Sequence, residues 1–385
     1  MPRPAAQIDA IETRILDLPT IRGHVLSMTT MHVQTIVLVT LRFADGSIGL
    51  GEGTTIGGLS YGAESPESIR SAIDTYLAPI LMGQDGDAVA ARMAAIDAHL
   101  VGNPIARCAV ETALWDAKAS RLDLSVADLF GGPVRHGLPI VWTLASGDTA
   151  RDIEEAEKML EARRHRDFKL KIGRRDVRED VAHVAAIVRA VENRASVRVD
   201  VNQHWSIDQA RWGLAALEEA GVTMAEQPVA ATDLPAMADL SRQCRLAILA
   251  DEALRGPGDA YRVARGRAGT ALAVKVGQSG GLVRAREVMA IGQAAGLSLY
   301  GGTMLETGVC TAAAMQLFCT GPDLEWGCEL FGPLLLTEDI LAQPLQYTDF
   351  EIRLPDGPGI GVALDLDKVD AFDRERGSTL HRITA

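Results

Sequence analysis

Five charged residues beat time through the middle of this chain: Lys171, Asp200, Glu226, Asp251 and Lys275 each end or follow a short apolar run, spaced by 29, 26, 25 and 24 positions. Short apolar runs alternating with amphipathic helical stretches mark repeated βα units, and so even a spacing suits a closed parallel barrel better than an open sheet. Eight runs are expected as strands, over residues 138–144, 168–172, 197–201, 222–225, 247–250, 271–276, 297–300 and, less regularly, 324–329. Between them, Ser206 and Gln209 form a capping box, and Val177, Val181, Val184, Ile187, Val188 and Val191 trace one apolar helical face.

The segment before the barrel obeys another rule. Residues 33–42 are β-branched and partly alternating, and they meet the turn pair Asp45-Gly46 before Ser47-Ile48, which predicts a hairpin, extended to a meander by residues 8–17. Helices are expected over 66–82, 86–101 and 104–121, the first opened by Ser65-Pro66. Residues 1–133, ending at Gly131-Gly132-Pro133, therefore read as a small α+β domain, residues 134–345 as the barrel, and residues 346–385 as a tail. Within that tail, 347–354 is expected to return as a strand to the first domain.

Bulk composition narrows the function classes. A chain of 385 residues that is 47% hydrophobic can bury a large core. Its 38 Lys+Arg against 51 Asp+Glu leave a formal charge of -13, which repels nucleic acid and anionic membrane surfaces alike. An anionic small molecule must then find a local cationic pocket. The cysteines Cys108, Cys244, Cys310, Cys319 and Cys328 include no C-x-x-C pair and read as buried free thiols of a reducing compartment. No apolar stretch reaches membrane-spanning length and the N-terminus lacks a signal-like apolar region, so a cytoplasmic location is expected.

In a parallel barrel the working face lies at the C-terminal ends of the strands. Asp200, Glu226 and Asp251, with Glu252 beside it, end three consecutive runs there, and an all-oxygen set suits Mg²⁺ or Mn²⁺ better than zinc. The blander alternative, in which each carboxylate caps a helix, explains one such residue more easily than three at matched positions. The histidines contain no H-x-H or H-E-x-x-H pair, so zinc catalysis finds little support. Lys169 and Lys171 share one face of the second strand, and two close cations are expected to depress each other's pKa and yield a usable base. Lys275 would face them from the sixth strand. The chemistry implied is proton transfer at a carbon beside a carboxylate, with a metal holding the resulting enolate. Gly49-x-Gly51-x-Gly53 and Gly277-x-x-Gly280-Gly281 lack nucleotide-loop spacing. They are expected as tight turns, the second also as a close approach of backbone to ligand. No G-x-S-x-G occurs, which removes serine hydrolysis of that type.

These residues resemble the enolase superfamily, and within it the muconate lactonizing branch. Ala109-Val-Glu-Thr-Ala-Leu-Trp-Asp-Ala-Lys118 with Leu129-Phe-Gly-Gly132, then Lys169-Leu-Lys171, Asp200-Val-Asn202, Glu226-Gln-Pro228, Asp251-Glu252 and Lys275 follow its motifs in order. The segment Trp326-Gly-Cys-Glu329-Leu-Phe-Gly-Pro333 is similar to that branch, where a dipeptide epimerase would carry D-x-D. The resemblance implies a modified (β/α)7β barrel of TIM type with an N-terminal α+β capping domain. It implies Asp200, Glu226 and Asp251 as ligands of Mn²⁺ or Mg²⁺, Lys171 as general acid/base, and Lys169 as its tuner and a substrate contact. Lys275 would supply charge from the opposite face, and Glu329 would position substrate or Lys275. Loops at 21–28 and 56–61 would close over the barrel, making His24, Ile56 and Tyr61 substrate contacts, and Asn202 would be a further one from the barrel itself. The activity implied is cycloisomerisation of the dicarboxylate cis,cis-muconate to muconolactone. Chloromuconate cycloisomerisation, o-succinylbenzoate synthesis and amino-acid racemisation are the alternatives. A homo-oligomer, up to an octamer, is implied as well.

Overall fold

The computed structural model describes residues 6–26 and 29–375, together with the strand Thr379–Arg382. Strands β1 (Ile8–Val25), β2 (Thr30–Phe43) and β3 (Ile48–Thr54) form the expected antiparallel meander. Helices α1 (Pro66–Ala72), α2 (Val89–His99) and α3 (Pro104–Arg121) follow. Ser65 and Ser68 close a capping box around Pro66 at the first helical position, which fixes where α1 begins.

The Gly49-x-Gly51-x-Gly53 run is not a turn but lies within β3, where alternate residues share one face. A Cβ on Gly49 would stand 2.0 Å from the Ala113 carbonyl oxygen, and one on Gly51 1.9 Å from that of Ala109. The missing side chains thus let α3 dock backbone to backbone on the strand. Gly51→Ala is expected to destabilise the protein by about 1–3 kcal/mol, since backbone rather than a flexible side chain must move. Gly258→Ala has nothing within 4 Å of the new Cβ inside a helix and serves as the control. Thermal unfolding midpoints that fall equally in the two variants would reject the docking account.

The second part of the chain is built on a seven-stranded parallel sheet. It runs β5 (Val141–Leu144), β6 (Asp167–Lys171), β7 (Ser196–Asp200), β8 (Met224–Glu226), β9 (Ala247–Ala250), β10 (Ala271–Val274) and β11 (Ser298–Gly301), each strand beside the next. The expected eighth strand is shorter than its apolar run. Only Cys328 bridges, in parallel, to both Ile140 and Gly301, joining the first and last strands into a closed barrel. Val141 N donates to Cys328 O at 2.8 Å and Glu329 N to Gly301 O at 2.7 Å across that seam. Gly327, at φ 68°, turns the chain just before it and stops a longer ladder. Inside, Val141, Met224, Leu249, Ala271, Ala273 and Tyr300 fill the barrel as a cluster separate from the main core.

Outer helices α4 (Thr149–Glu161), α5 (Val177–Val191), α6 (Ile207–Glu219), α7 (Leu234–Gln243), α8 (Pro257–Gly266) and α9 (Leu282–Ala294) follow β5 through β10 in turn, and α10 (Gly308–Phe318) follows β11. Their starts are set by local chemistry, as in the Ser206/Gln209 capping box of α6. On α5, Val177, Val184, Ile187 and Val191 are buried and Val181 and Val188 half-buried, the stripe its periodicity predicts.

Two expectations about connections are corrected. Residues 347–354 do not join the first domain: β12 (Tyr347–Thr348) and β13 (Glu351–Arg353) pair with β4 (Gly137–Pro139), at the entry to the first barrel strand. The return to the first domain is made by β14 (Thr379–Arg382), which lies antiparallel to β1. At Gly281 the close approach is to a side chain of the first domain. A Cβ there would collide with the Glu111 carboxyl group 1.5 Å away, so this glycine gives α3 of the first domain its seat on the barrel. Glu52 strengthens the same junction. Buried on β3, its carboxylate accepts from Thr307 N at 2.9 Å, Thr307 Oγ1 at 2.7 Å and Cys310 N at 2.9 Å, capping α10 of the barrel.

Candidate active site

Register brings the charged strand ends together. Lys171 is paired with Asp200, and Asp200 with Glu226, so three of the five beat residues are direct neighbours across β6, β7 and β8. Beside them, Lys171 and Glu226 open into a narrow cavity with about 390 Å³ of atom-free space, counting what is open to solvent, while Asp200 lies just behind its wall. Lys169, Lys171, Asn202, Glu226, Asp251, Lys275 and Glu329 line it from the barrel. From the first domain come His24, Leu26, Ile56 and Tyr61.

The loop expected at 21–28 is in fact the end of a twisted ribbon. β1 continues through Val25, with His24 opposite Met31 and a register shift between Pro19 and His24. Ser27 and Met28 lie outside the described residues. The ribbon is anchored to the barrel by Arg22 Nη2, 3.2 Å from the Thr143 carbonyl, and by Gln34 Nε2, which donates to the carbonyls of Met304 at 3.0 Å and Leu305 at 2.9 Å.

Every amine in the cavity has a carboxylate. Lys169 Nζ lies 2.6 Å from Glu329, 2.8 Å from Glu226 and 3.5 Å from Asp200. Lys171 Nζ lies 2.5 Å from Asp200 and 3.3 Å from Asn202 Oδ1. Lys275 Nζ lies 2.7 Å from both oxygens of Asp251 and donates to Tyr61 Oη at 2.7 Å. Tyr61 Oη in turn donates to Asp251 Oδ2 at 2.8 Å. Asn202, at φ 45°, turns its backbone N–H and side-chain amide onto Asp200 and also donates to Glu252.

This arrangement overturns the idea that the neighbouring ammonium group lowers the pKa of Lys169. Burial does push Lys169 down, but Glu226, Glu329 and Asp200 outweigh it and hold the amine well above its ordinary value. Burial likewise opposes the charge on Lys275, and Asp251 and Glu226 win there too. The expected link between Glu329 and Lys275 is also corrected: Glu329 pairs with Lys169, because barrel closure at Cys328 sets it next to β5 and thus near β6. His24 is held well below its usual value by burial and by the Lys171, Arg22 and Lys169 charges, so its imidazole is neutral.

Among the described residues, no three His, Cys, Asp or Glu side chains stand together as a ready-made cation cage. The reason is local: Asp200, Glu226 and Asp251 are each drawn to a lysine. The donor set still fits a divalent cation on two grounds. Five buried carboxylates, of Asp200, Glu226, Asp251, Glu252 and Glu329, face the three ammonium groups, which leaves two negative charges uncompensated when all are ionised. The strain of that excess is visible in Glu252, pushed up to about 7 by burial and by Asp251 and Asp200, with its Oε2 buried and without a hydrogen-bond partner. Glu226 is raised as well, by burial and then by Asp200.

Sequence reasoning passed over Thr143, Thr303, Leu26, Leu305 and Phe331, which complete the lining. Thr143 lies on β5 and Thr303 two residues past β11, so a search for any polar residue at a strand end, not only charged ones, would have found both. The apolar three come from connections and carried no such mark.

A parallel barrel whose strand ends gather buried acids and amines beneath a capping domain defines a barrel enzyme of acid–base chemistry. Residues 10–131 match the model of the mandelate racemase / muconate lactonizing enzyme N-terminal domain, and residues 151–369 that of the enolase C-terminal domain-like family. Muconate cycloisomerase 1-2 of Acinetobacter lwoffii is 54% identical over 96% of each chain. A chloromuconate cycloisomerase of Delftia acidovorans is 48% identical over 96% of this chain and 99% of its own. The crystal structure of muconate lactonizing enzyme from Pseudomonas fluorescens, complexed with muconolactone, is similar with a TM-score of 0.95 and 49% identity, covering 96% of this chain and all of that one. The chain belongs to the mandelate racemase / muconate lactonizing enzyme family of the enolase superfamily, whose members use a divalent metal ion.

Proposed function

We propose that this protein is an intramolecular lyase that converts cis,cis-muconate to muconolactone through an enolate intermediate, in the catabolism of aromatic compounds. The observation that carries it is one cavity holding three amines and the strand-end acids, whose two excess negative charges a divalent cation would offset, leaving the amines to meet a dianion that passes through an enediolate. Relatives named muconate cycloisomerase, similar over nearly the full length, support the same reading.

In this reading one carboxylate of the substrate adds across the far double bond. A C–O bond forms, the electron pair of that double bond moves to an enediolate at the other carboxylate while the nearer double bond is kept, and Lys171 Nζ gives a proton to the α-carbon. Lys171 is suited to that role because it stands at the strand end, 14% exposed, and can recover a proton from solvent. Lys169, below it and kept protonated by Glu226 and Glu329, acts as a fixed positive charge under a substrate carboxylate. Lys275, steadied by Tyr61 and Asp251, presents charge from the other side. Neutral His24, Ile56, Tyr61 and Asn202 shape the pocket around the substrate, and Glu329 sets the position of Lys169. Asp200, Glu226 and Asp251 would hold Mn²⁺ or Mg²⁺, which supplies positive charge to the enediolate.

Residues 1–133 cap residues 134–345 in this scheme, while 346–385 complete both. The reading also includes a homo-oligomer, up to an octamer, in the cytoplasm; among the described residues no helix is long and apolar enough to cross a membrane. The deciding experiment follows the ultraviolet absorbance of the diene with purified enzyme and Mn²⁺, using cis,cis-muconate and chloromuconates. The expected result is a higher kcat/KM for cis,cis-muconate. A clear preference for the chlorinated substrates would assign the chain to the other reaction, and turnover of neither would overturn the proposal.

A further inference from the structure

The side chains that line the reacting cavity are almost all buried. Of the residues that line it, all but Lys171 and Tyr61 are buried, and Tyr61 turns its hydroxyl inward to Asp251 and Lys275. Lys171 therefore marks the side on which the site meets solvent. On that side lies a groove with about 710 Å³ of atom-free space, which shares Lys171 and Leu26 with the cavity.

The groove is cationic in an anionic protein. Arg174 and Arg175, both exposed, stand on its wall just past the end of β6. Each guanidinium is tied to a backbone carbonyl, Arg174 Nη1 to Leu26 O at 3.3 Å and Arg175 Nη2 to Gly147 O. Among the described residues neither lies within ion-pair distance of a carboxylate. The acid of the groove, Asp180, is occupied by the Gly173 N–H at 2.7 Å, and His183 Nε2 faces Asp152 at 3.4 Å. Two backbone-anchored guanidinium groups, facing the single groove carboxylate of Asp180, stand beside the half-buried amine of the site and thus leave a net positive mouth on a chain of net charge -13.

We propose that this groove is the entry and exit path of a dicarboxylate dianion, and that Arg174 and Arg175 draw it toward Lys171. The inference rests on the proposed dianionic substrate and adds the route by which it arrives. A cleft with an excess of one sign of charge raises local ligand concentration and association rate, by up to about 10–10³-fold, an effect that salt screens. Arg174 and Arg175 touch no reacting atom, so their effect belongs in capture, not in the chemical step.

The test is steady-state kinetics of the full-length, Mn²⁺-loaded enzyme on cis,cis-muconate at low and high ionic strength. Arg174→Ala/Arg175→Ala together should lower kcat/KM by about tenfold or more at low salt, with the loss carried by KM, and the gap to the parent should close as salt rises. Arg174→Lys should keep most of the rate because it keeps the charge. Arg245→Gln, which removes the same charge from an exposed position at the opposite ends of the strands, should have no such effect. The proposal is overturned if the double variant matches the parent, if its loss is independent of salt, or if Arg245→Gln behaves alike. Parent enzyme that does not turn over muconate overturns the functional reading and this route together, whereas turnover indifferent to the arginines overturns the route alone.

Discussion

Lys171→Ala should lower kcat on cis,cis-muconate by about 10²–10⁴-fold, the usual contribution of a positioned general acid or base. Lys171→Arg is expected to fall nearly as far, because a guanidinium keeps the positive charge yet does not release its proton near neutral pH. That pair of variants separates proton transfer from mere charge. Folding should survive both: Lys171 ends its strand half-buried, and Lys169 still stands 3.5 Å from the Asp200 carboxylate when Lys171 is shortened. Circular dichroism and the unfolding midpoint check this. If the alanine variant keeps activity within about tenfold, or if arginine restores it, Lys171 is not the proton donor.

Removal of divalent metal should abolish activity, and Mn²⁺ or Mg²⁺ should restore it. A Lewis acid at a developing oxyanion contributes several kcal/mol, and each 1.36 kcal/mol is a factor of about ten, so a loss beyond about a thousandfold is expected. A second readout needs no turnover. Glu226 and Glu252 are strained by their carboxylate neighbours, and a bound cation relieves that repulsion. Mn²⁺ at a hundred times its Kd should therefore stabilise the fold by about 2.7 kcal/mol, read as a raised unfolding midpoint. Glu226→Gln should weaken that shift because one charged donor is lost while the shape is kept. Full activity in metal-free enzyme, or an unfolding midpoint indifferent to Mn²⁺, would reject the assignment of Asp200, Glu226 and Asp251 as ligands.

The lysine partners show how the apo charge pattern bears on both results. Each proposed ligand is held by an ammonium group, Asp200 by Lys171, Glu226 by Lys169 and Asp251 by Lys275. A divalent cation competes with those amines for the same oxygens, and the field that keeps Lys169 and Lys275 protonated weakens once the acids are neutralised. Metal loading and amine basicity are thus expected to be coupled.

Much of the architecture was legible because its signals are local. Alternation at residues 33–42, the Asp45-Gly46 turn, the Ser206/Gln209 box and the apolar stripe of α5 each depend on neighbours a few positions away, and each appears as expected. Where reading failed, the deciding contact was remote. Gly49 and Gly51 looked like turn residues until α3, some 60 positions later, was seen seated on them. Gly281 suggested a ligand and met Glu111 instead, from another part of the chain. Residues 347–354 have strand character, but nothing in their own pattern says that β4 rather than β1 is their partner.

What the sequence determined alone was the level of the chemistry: charged side chains placed at the ends of successive apolar runs must share one rim once those runs pair in parallel, since strand register carries equal positions to equal height. What only the tertiary structure decided was the pairing of charge with charge. Closure through Cys328 gives Glu329 to Lys169, the ribbon of β1 and β2 brings His24 and Leu26 over the barrel, and Arg174 comes to rest on the Leu26 carbonyl. Those contacts join residues over a hundred positions apart, and they follow from how the barrel shuts and how its cap is seated, which no local periodicity encodes.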